Sequence, residues 1–327
     1  MSADLKARII NLVKPDLEKV EVALEENLDP NLDLVKEIAS HLLFSGGKRL
    51  RPLLLIHSAR LCGYGDGREI EFSTIFEYLH AATLLHDDVV DGADLRRGRP
   101  AAHTQWEAPQ VVLTGDFLLA RALNLAARTR KPDLISVIAR ITQEMSQGEI
   151  DQLYWKGSTD LTEDQYLKII ERKTAVLIEG ATRSGAILAG VDPEREGALK
   201  DFGYHIGMAF QMADDLLDYT ATAQELGKNP GADMREGKLT LPLLHAMEKA
   251  DAEERQWMCH AMADTEFDPV RFEALKEKLV RLGGLDYTRE RAEDHVARAK
   301  ACLSTFPDGE SKDLLNLIAD YSVARKV

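Results

Sequence analysis

Apolar residues recur at intervals of three and four along most of this 327-residue chain, which is the period of an amphipathic helix. Ile9, Leu12, Val13, Leu17, Val20 and Leu24 form one such stripe, and Leu167, Ile170, Val176, Leu177, Ala181 and Ile187 roughly continue another. Runs with period-two alternation are nearly absent. Glycine, proline and polar residues break the helical pattern at 63–67, 92–100, 156–162, 190–193, 226–237 and 306–309, where loops are expected. Thr162-Glu163-Asp164-Gln165 has the form of a capping box, and Pro132-Asp133 that of a helix start. Asp116, after Gly115, is placed at another helix N-terminus, where a carboxylate meets the dipole. No Ser/Pro-rich linker and no solenoid-period repeat divides the sequence. The pattern predicts one all-α domain over residues 1–327, a bundle of roughly ten or more helices.

Composition changes that picture little. A hydrophobic content of 45% is ample for a buried core. The net charge of −14 argues against nucleic acid as a partner and favours solubility. Cys62, Cys259 and Cys302 are far apart and form no CxxC pair, as expected of thiols in a reducing compartment. Met1 to Lys6 carries no apolar signal core, and no window reaches the ~18 apolar residues of a membrane span. A cytoplasmic protein is expected.

The chemistry sits in two aspartate clusters. His86-Asp87-Asp88-Val89-Val90-Asp91 and Gln211-Met212-Ala213-Asp214-Asp215-Leu216-Leu217-Asp218 each carry aspartates at i, i+1 and i+4, so each presents a carboxylate patch on one helix face. Like charges packed so closely weaken a helix unless something neutralises them. Carboxylates suit hard cations, and Mg²⁺ is usually held by one or two carboxylates together with substrate phosphates and waters. The metal therefore implies a phosphate.

Cations stand ready for it. His80, Thr83 or Leu84, Asp87 and Asp91 follow one line of the first helix, and Arg96-Arg97-Gly98-Arg99-Pro100 comes next. Upstream, Ser45-Gly46-Gly47-Lys48-Arg49-Leu50-Arg51-Pro52 joins glycines, which let backbone approach an anion, to arginines whose fork fits phosphate oxygens. Lys48 and Arg51 share a face if a helix starts there, with Pro52 in its first turn. Beyond the second cluster, Lys228 and Lys238 lie in a cation-bearing loop, and Glu171-Arg172-Lys173-Thr174 sits in the helix opened by the capping box.

Together, in this order, these motifs resemble the trans-prenyltransferases, or polyprenyl diphosphate synthases, over about Ser45 to Leu244. The resemblance implies an isoprenoid synthase-type bundle around a central cavity and a homodimer. It implies that Asp87 and Asp91, with Asp88 supporting, bind Mg²⁺ on the allylic diphosphate. Asp214, with Asp215 and Asp218 nearby, would hold a further ion. Three ions per active site are implied, with Mn²⁺ as a substitute. Arg96, Lys173 and Lys238, and more weakly Lys228, would contact the allylic diphosphate. Lys48, Arg51, His80 and Arg97 would hold the diphosphate of isopentenyl diphosphate. Thr174 and Gln211 would point oxygens at a developing allylic cation.

Ala82 and Thr83, about one turn before Asp87, fall where short-product family members carry bulky aromatics. Small residues here imply a medium or long product, octaprenyl first among the options, for a quinone side chain. The alternative is a farnesyl or geranylgeranyl diphosphate synthase. A terpene cyclase needs no second diphosphate site, and a metal phosphohydrolase would leave the basic motifs unexplained. A non-catalytic subunit would have decayed aspartate motifs, whereas both are intact.

Overall fold

Helix follows helix because the apolar stripes repeat with little interruption. The computed structural model describes residues 2–28, 32–221, 230–263 and 268–324; Lys228 lies outside the described residues. Its helices are α1 (Ser2–Asn27), α2 (Asp33–Leu43), α3 (Leu50–Leu61), α4 (Arg68–Asp91), α5 (Ala108–Arg128), α6 (Pro132–Trp155) and α7 (Glu163–Ile170). After a π-helical turn (Glu171–Ala175) come α8 (Val176–Ala189), α9 (Pro193–Thr220), a short turn of helix (Ala232–Arg235), α10 (Leu241–Lys249) and α11 (Ala252–Ala263). The chain ends with α12 (Pro269–Arg281), α13 (Gly284–Cys302) and α14 (Glu310–Ala324).

Local signals set several boundaries. Thr162 accepts the backbone N–H of Gln165 while the Gln165 side chain accepts that of Thr162, so α7 starts at the capping box. Proline opens α6, where a missing N–H costs nothing. The loosely continued stripe after Leu167 has a structural cause: the π turn adds a residue and shifts the phase of the apolar face.

Two expectations are corrected. Gly115 and Asp116 lie inside α5, whose own capping box is Glu107 with Gln110. Gly115 is there for space, because a Cβ would run into the imidazole of His86 on α4. Residues 95–100 form a small antiparallel hairpin, β1 (Leu95–Arg96) with β2 (Arg99–Pro100), whose strands are too short to show alternation. Its two-residue turn, Arg97-Gly98, has positive φ at both positions, the requirement of a type I′ hairpin turn.

The core has two parts that meet at α9. Leu199, Phe202, Ile206 and Ala209 join the larger cluster with α3, α4, α5, α6 and α8. Met208, Met212 and Tyr219 join a smaller one with α10, α11 and α12. Glycines allow α9 to approach so closely: Gly203 faces Glu179 of α8, and Gly207 faces Ala175 of the π turn. The C-terminal ends of α4 and α9, each carrying an aspartate cluster, are thereby held beside one cavity. No helix among the described residues is long and apolar enough to cross a membrane.

Candidate active site

A cavity of about 1030 Å³ opens between the ends of α4, α6 and α9, the start of α3 and the hairpin. Lys48, Arg51, His80, Thr83, Asp87, Arg96, Arg97, Lys173, Thr174, Gln211 and Asp214 all line it. Residues separated by as much as 166 positions (48 to 214) therefore converge on one space.

The six aspartates do not share one role. Asp87 and Asp214 line the cavity, and Asp91 is exposed one turn beyond Asp87. Asp88, Asp215 and Asp218 are buried. For Asp88 and Asp215 the cause is that the residue after a cavity-facing aspartate points about 100° round the helix. Asp218, on nearly the face of Asp214, is covered by the segment at Ala232 and Asp233. Asp88 accepts the guanidinium of Arg96, with Nε at 2.8 Å. Asp218 accepts the backbone N–H groups of Ala232 and Asp233 at 3.1 and 3.0 Å and so ties the loop after α9 to the helix. Asp215 accepts from the Tyr166 hydroxyl and from Gln211 Nε2 at 2.8 Å.

That last contact begins a chain of hydrogen bonds into the cavity. Gln211 Oε1 accepts from Thr174 Oγ1 at 2.9 Å. The amide of Gln211 is thus occupied at both ends, and the Thr174 hydroxyl oxygen keeps lone pairs for the cavity. Thr174 and Lys173 are presented by the π turn, a distortion that often marks functional sites. Lys173 Nζ lies 2.8 Å from Glu149 Oε1 and 2.7 Å from Gln152 Oε1 on α6. Lys238 lines a smaller adjoining pocket of about 120 Å³ and pairs with Glu236.

The charges are strongly perturbed. Burial, with the nearby charge of Glu149, pushes the Asp87 carboxyl up to about 7, against the pull of Lys173. Burial and the guanidiniums of Arg51 and Arg97 hold His80 well below its usual range, so its imidazole is neutral. Burial also lowers Arg51, and Arg97 adds to that; its buried Nε has no hydrogen-bond partner. Such an unmet donor is costly unless an anion meets it.

The hairpin separates two adjacent arginines. Arg96, in β1, turns to Asp88, whereas Arg97, at the tip with φ 53°, reaches the carbonyl of Gly46. Helix α3 begins at Leu50, so Lys48 precedes it instead of sharing its face with Arg51. Pro52 falls in the first turn, as expected.

Among the described residues no three carboxylates, imidazoles or thiols close a cage for a metal ion. The donor set fits Mg²⁺, which takes one or two carboxylates and completes its shell with phosphate oxygens and water. Glu77, Glu149, Gln152 and Tyr166 escaped the sequence reading. Only Glu77 gave a signal, three residues before His80 on the same helical line.

Comparison with known proteins agrees with this geometry. The polyprenyl synthetase family model matches residues 32–279. The octaprenyl diphosphate synthase of Escherichia coli K12 is 37% identical over 318 residues, 97% of this chain and 98% of the relative. The all-trans-nonaprenyl-diphosphate synthase (geranyl-diphosphate specific) of Rhodobacter capsulatus is 39% identical, covering 96% of each chain. The crystal structure of a polyprenyl synthase from Caulobacter crescentus, complexed with calcium and isoprenyl diphosphate, superposes with a TM-score of 0.92 at 39% identity over 98% of both chains. The family is generally Mg²⁺-dependent. Motif order, fold and full-length similarity agree: the chain belongs to the polyprenyl synthetase family of trans-prenyltransferases.

Proposed function

We propose that this chain, acting as one all-α domain in the cytoplasm, condenses isopentenyl diphosphate head-to-tail onto an allylic diphosphate such as farnesyl diphosphate. Repetition builds an all-trans product of octaprenyl length for a quinone side chain. The observation that carries this reading is the single cavity that gathers two groups of cations around two aspartate-bearing helix ends.

Lys48, Arg51, His80 and Arg97 bind the diphosphate of isopentenyl diphosphate, His80 as a neutral N–H donor. Arg96, Lys173 and Lys238, with Lys228 as a weaker contributor, bind the allylic diphosphate. Asp87 and Asp91, and from the other helix Asp214, would hold Mg²⁺, three ions in the loaded site with Mn²⁺ as a substitute. Asp88, Asp215 and Asp218 act behind them, on Arg96, on Tyr166 and Gln211, and on the backbone of Ala232 and Asp233. When bound, Mg²⁺ neutralises the negative charge that develops on the leaving diphosphate. The allylic C–O bond breaks with its electron pair going to that diphosphate. Thr174 offers its oxygen to the resulting allylic cation, held in place by Gln211. The double bond of isopentenyl diphosphate attacks, forming the new C–C bond, and a proton passes to the departing diphosphate. Apolar walls such as Met145, Ile178 and Phe210 exclude water from the cation.

Product analysis by mass spectrometry, with Mg²⁺ and each short allylic primer in turn, tests this. Isopentenyl diphosphate should be consumed only when a primer is present, with products near eight isoprene units. Consumption without a primer would overturn the reaction, and arrest at geranylgeranyl diphosphate would overturn the length.

A homodimer is part of the proposal. Helix α5 leaves Leu113 and Leu123 exposed, and α6 leaves Ile135, Ile150 and Leu153 exposed, apolar surface that a second copy would cover. Sedimentation at micromolar concentration should find a dimer; a fully active monomer would defeat it.

A further inference from the structure

The cations assigned to isopentenyl diphosphate share their cavity with a carboxylate that has no place in that assignment. Glu77, on α4 one turn before His80, is buried and yet reaches the cavity wall. It accepts Arg49 Nη1 at 2.9 Å. Arg49 is itself held by Glu21 at 2.6 and 3.0 Å and by the carbonyl of Leu43 at 2.6 Å, and its backbone sits in the left-handed region at φ 46°. A non-glycine residue persists there only when its surroundings hold it.

Arg49 and Arg97 converge on Gly47. A Cβ at Gly47 would lie 3.3 Å from Arg97 Nη1 and 3.5 Å from Arg49 Nη1. Arg51 is close enough to both Glu77 and Arg97 for each to act on its charge, and Glu77 likewise acts on Arg97. One guanidinium is therefore bonded to this buried carboxylate, and two more line the same cavity within reach of its charge. Without that carboxylate they would repel one another at short range and in a poorly solvated place.

We propose that Glu77 is a positioning residue for the isopentenyl diphosphate site: through Arg49 it anchors the Gly46–Arg51 segment, and its charge keeps Arg51 and Arg97 aimed at one shared anion. This rests on the reading that Lys48, Arg51, His80 and Arg97 hold isopentenyl diphosphate. Glu77 touches no reacting atom. It has the site assembled beforehand, so that binding energy is not consumed in ordering arginines.

The test compares full-length Glu77→Gln, Glu77→Asp, Glu21→Gln and Arg97→Ala with the unmodified enzyme, by KM for each substrate and by thermal melting. Glu77→Gln keeps the shape and removes the charge. It should raise KM for isopentenyl diphosphate about tenfold, the scale of one lost charge-assisted contact. The allylic KM should stay within about twofold, and Glu77→Asp should recover part of the loss. Glu21→Gln should leave both KM values unchanged, since Arg49 keeps Glu77 and Leu43. An unchanged isopentenyl KM in Glu77→Gln, or equal rises in both KM values with a lowered melting temperature in both Glu77 variants, would overturn the proposal. Arg97→Ala separates the two failures. If it too leaves the isopentenyl KM unchanged, the site assignment is wrong; if it raises that KM while Glu77→Gln does not, only the role of Glu77 falls.

Discussion

The carboxylate of Asp88, buried in the last turn of α4, accepts the guanidinium of Arg96 from the neighbouring hairpin. An aspartate of the metal-type motif thus faces away from the cavity and fixes a cation that lines it. This divides the motif by role. Asp87→Asn should abolish turnover or raise the Mg²⁺ concentration for half-maximal rate more than about tenfold. Asp88→Asn should act mainly through the allylic KM and leave the Mg²⁺ dependence within about twofold, because it loosens Arg96. Initial rates over a Mg²⁺ titration check both, and matching Mg²⁺ shifts in the two variants would contradict the division.

Arg96 and Arg97 are adjacent in sequence but serve different partners across the turn. Arg97→Ala should weaken isopentenyl diphosphate and Arg96→Ala the allylic substrate. One charge-assisted contact is worth about 1.5–3 kcal/mol, or roughly ten- to a hundredfold in affinity. Steady-state KM values for both substrates in both variants measure this. Equal damage to both substrates in each variant would refute the separation.

How much of this was legible in the chain depends on distance along it. The helices that carry the aspartates and the capping box at Thr162 follow from spacing within one helix, and the structure keeps those helices. The interest of Ala82 came from the family resemblance alone, and the burial of Asp88, Asp215 and Asp218 depends on partners outside their own helices. Tyr166 and Asp215 are 49 residues apart, and Lys173 and Glu149 are 24 apart; no periodicity announces such pairs. The π turn that presents Thr174 adds a residue to a stripe that already reads as helical. Asp116 was misplaced because Gly115 looks like a breaker, whereas here it makes room for His86.

The π turn also makes Gly207 a sensitive position. A Cβ there would lie 2.7 Å from Ala175 Cβ and closer still to its backbone, which has little freedom to yield. Gly207→Ala should push α9 from the turn that carries Lys173 and Thr174. Overpacking of this kind costs about 1–3 kcal/mol. The bond between Thr174 and Gln211 should suffer with it, so kcat falls along with the urea midpoint. A variant with lowered midpoint but full kcat would show that the turn tolerates the shift.

Stability should depend on pH through His205 and His295, whose Nδ1 atoms lie 2.9 Å apart between α9 and α13. Two facing nitrogens hold one proton between them, so adding another is opposed. Burial, then the neighbouring His205 and Arg291, push His295 down to about 4, and burial lowers His205 as well. The folded state thus binds protons less readily than the unfolded chain, whose histidines titrate near 6.5. The pair's full contribution is present above about 6.5 and is lost as pH falls toward 4. Urea midpoints measured between pH 7 and 5 should fall less for His295→Gln than for the unmodified protein. An identical fall would remove the pair from the acid response.

Product length offers the last prediction. With the diphosphate of a growing prenyl chain held at Asp87 and Asp214, as proposed above, its tail would run back along α4, the helix that carries Asp87. Thr83 lines the cavity. Ala82, five residues before Asp87, is buried in the core beside it. Deeper on the same helix Phe76 is fully buried and approaches Gly180 of α8, whose missing Cβ leaves room for Ile141. On the proposed path, a tail that passes the small side chains of Ala82 and Thr83 would first be stopped on this face of the helix by Phe76, two turns below Thr83. Ala82→Phe would add a ring to packed interior with no spare volume, at a cost of about 1–3 kcal/mol if the site cannot adjust. The variant should therefore melt somewhat lower and release farnesyl or geranylgeranyl diphosphate in place of the long product. Mass spectrometry of products, alongside a thermal melt, separates a blocked tunnel from a damaged fold. A folded variant with an unchanged product distribution would show that the tail takes another path, while the assignments around Asp87 and Asp214 would stand.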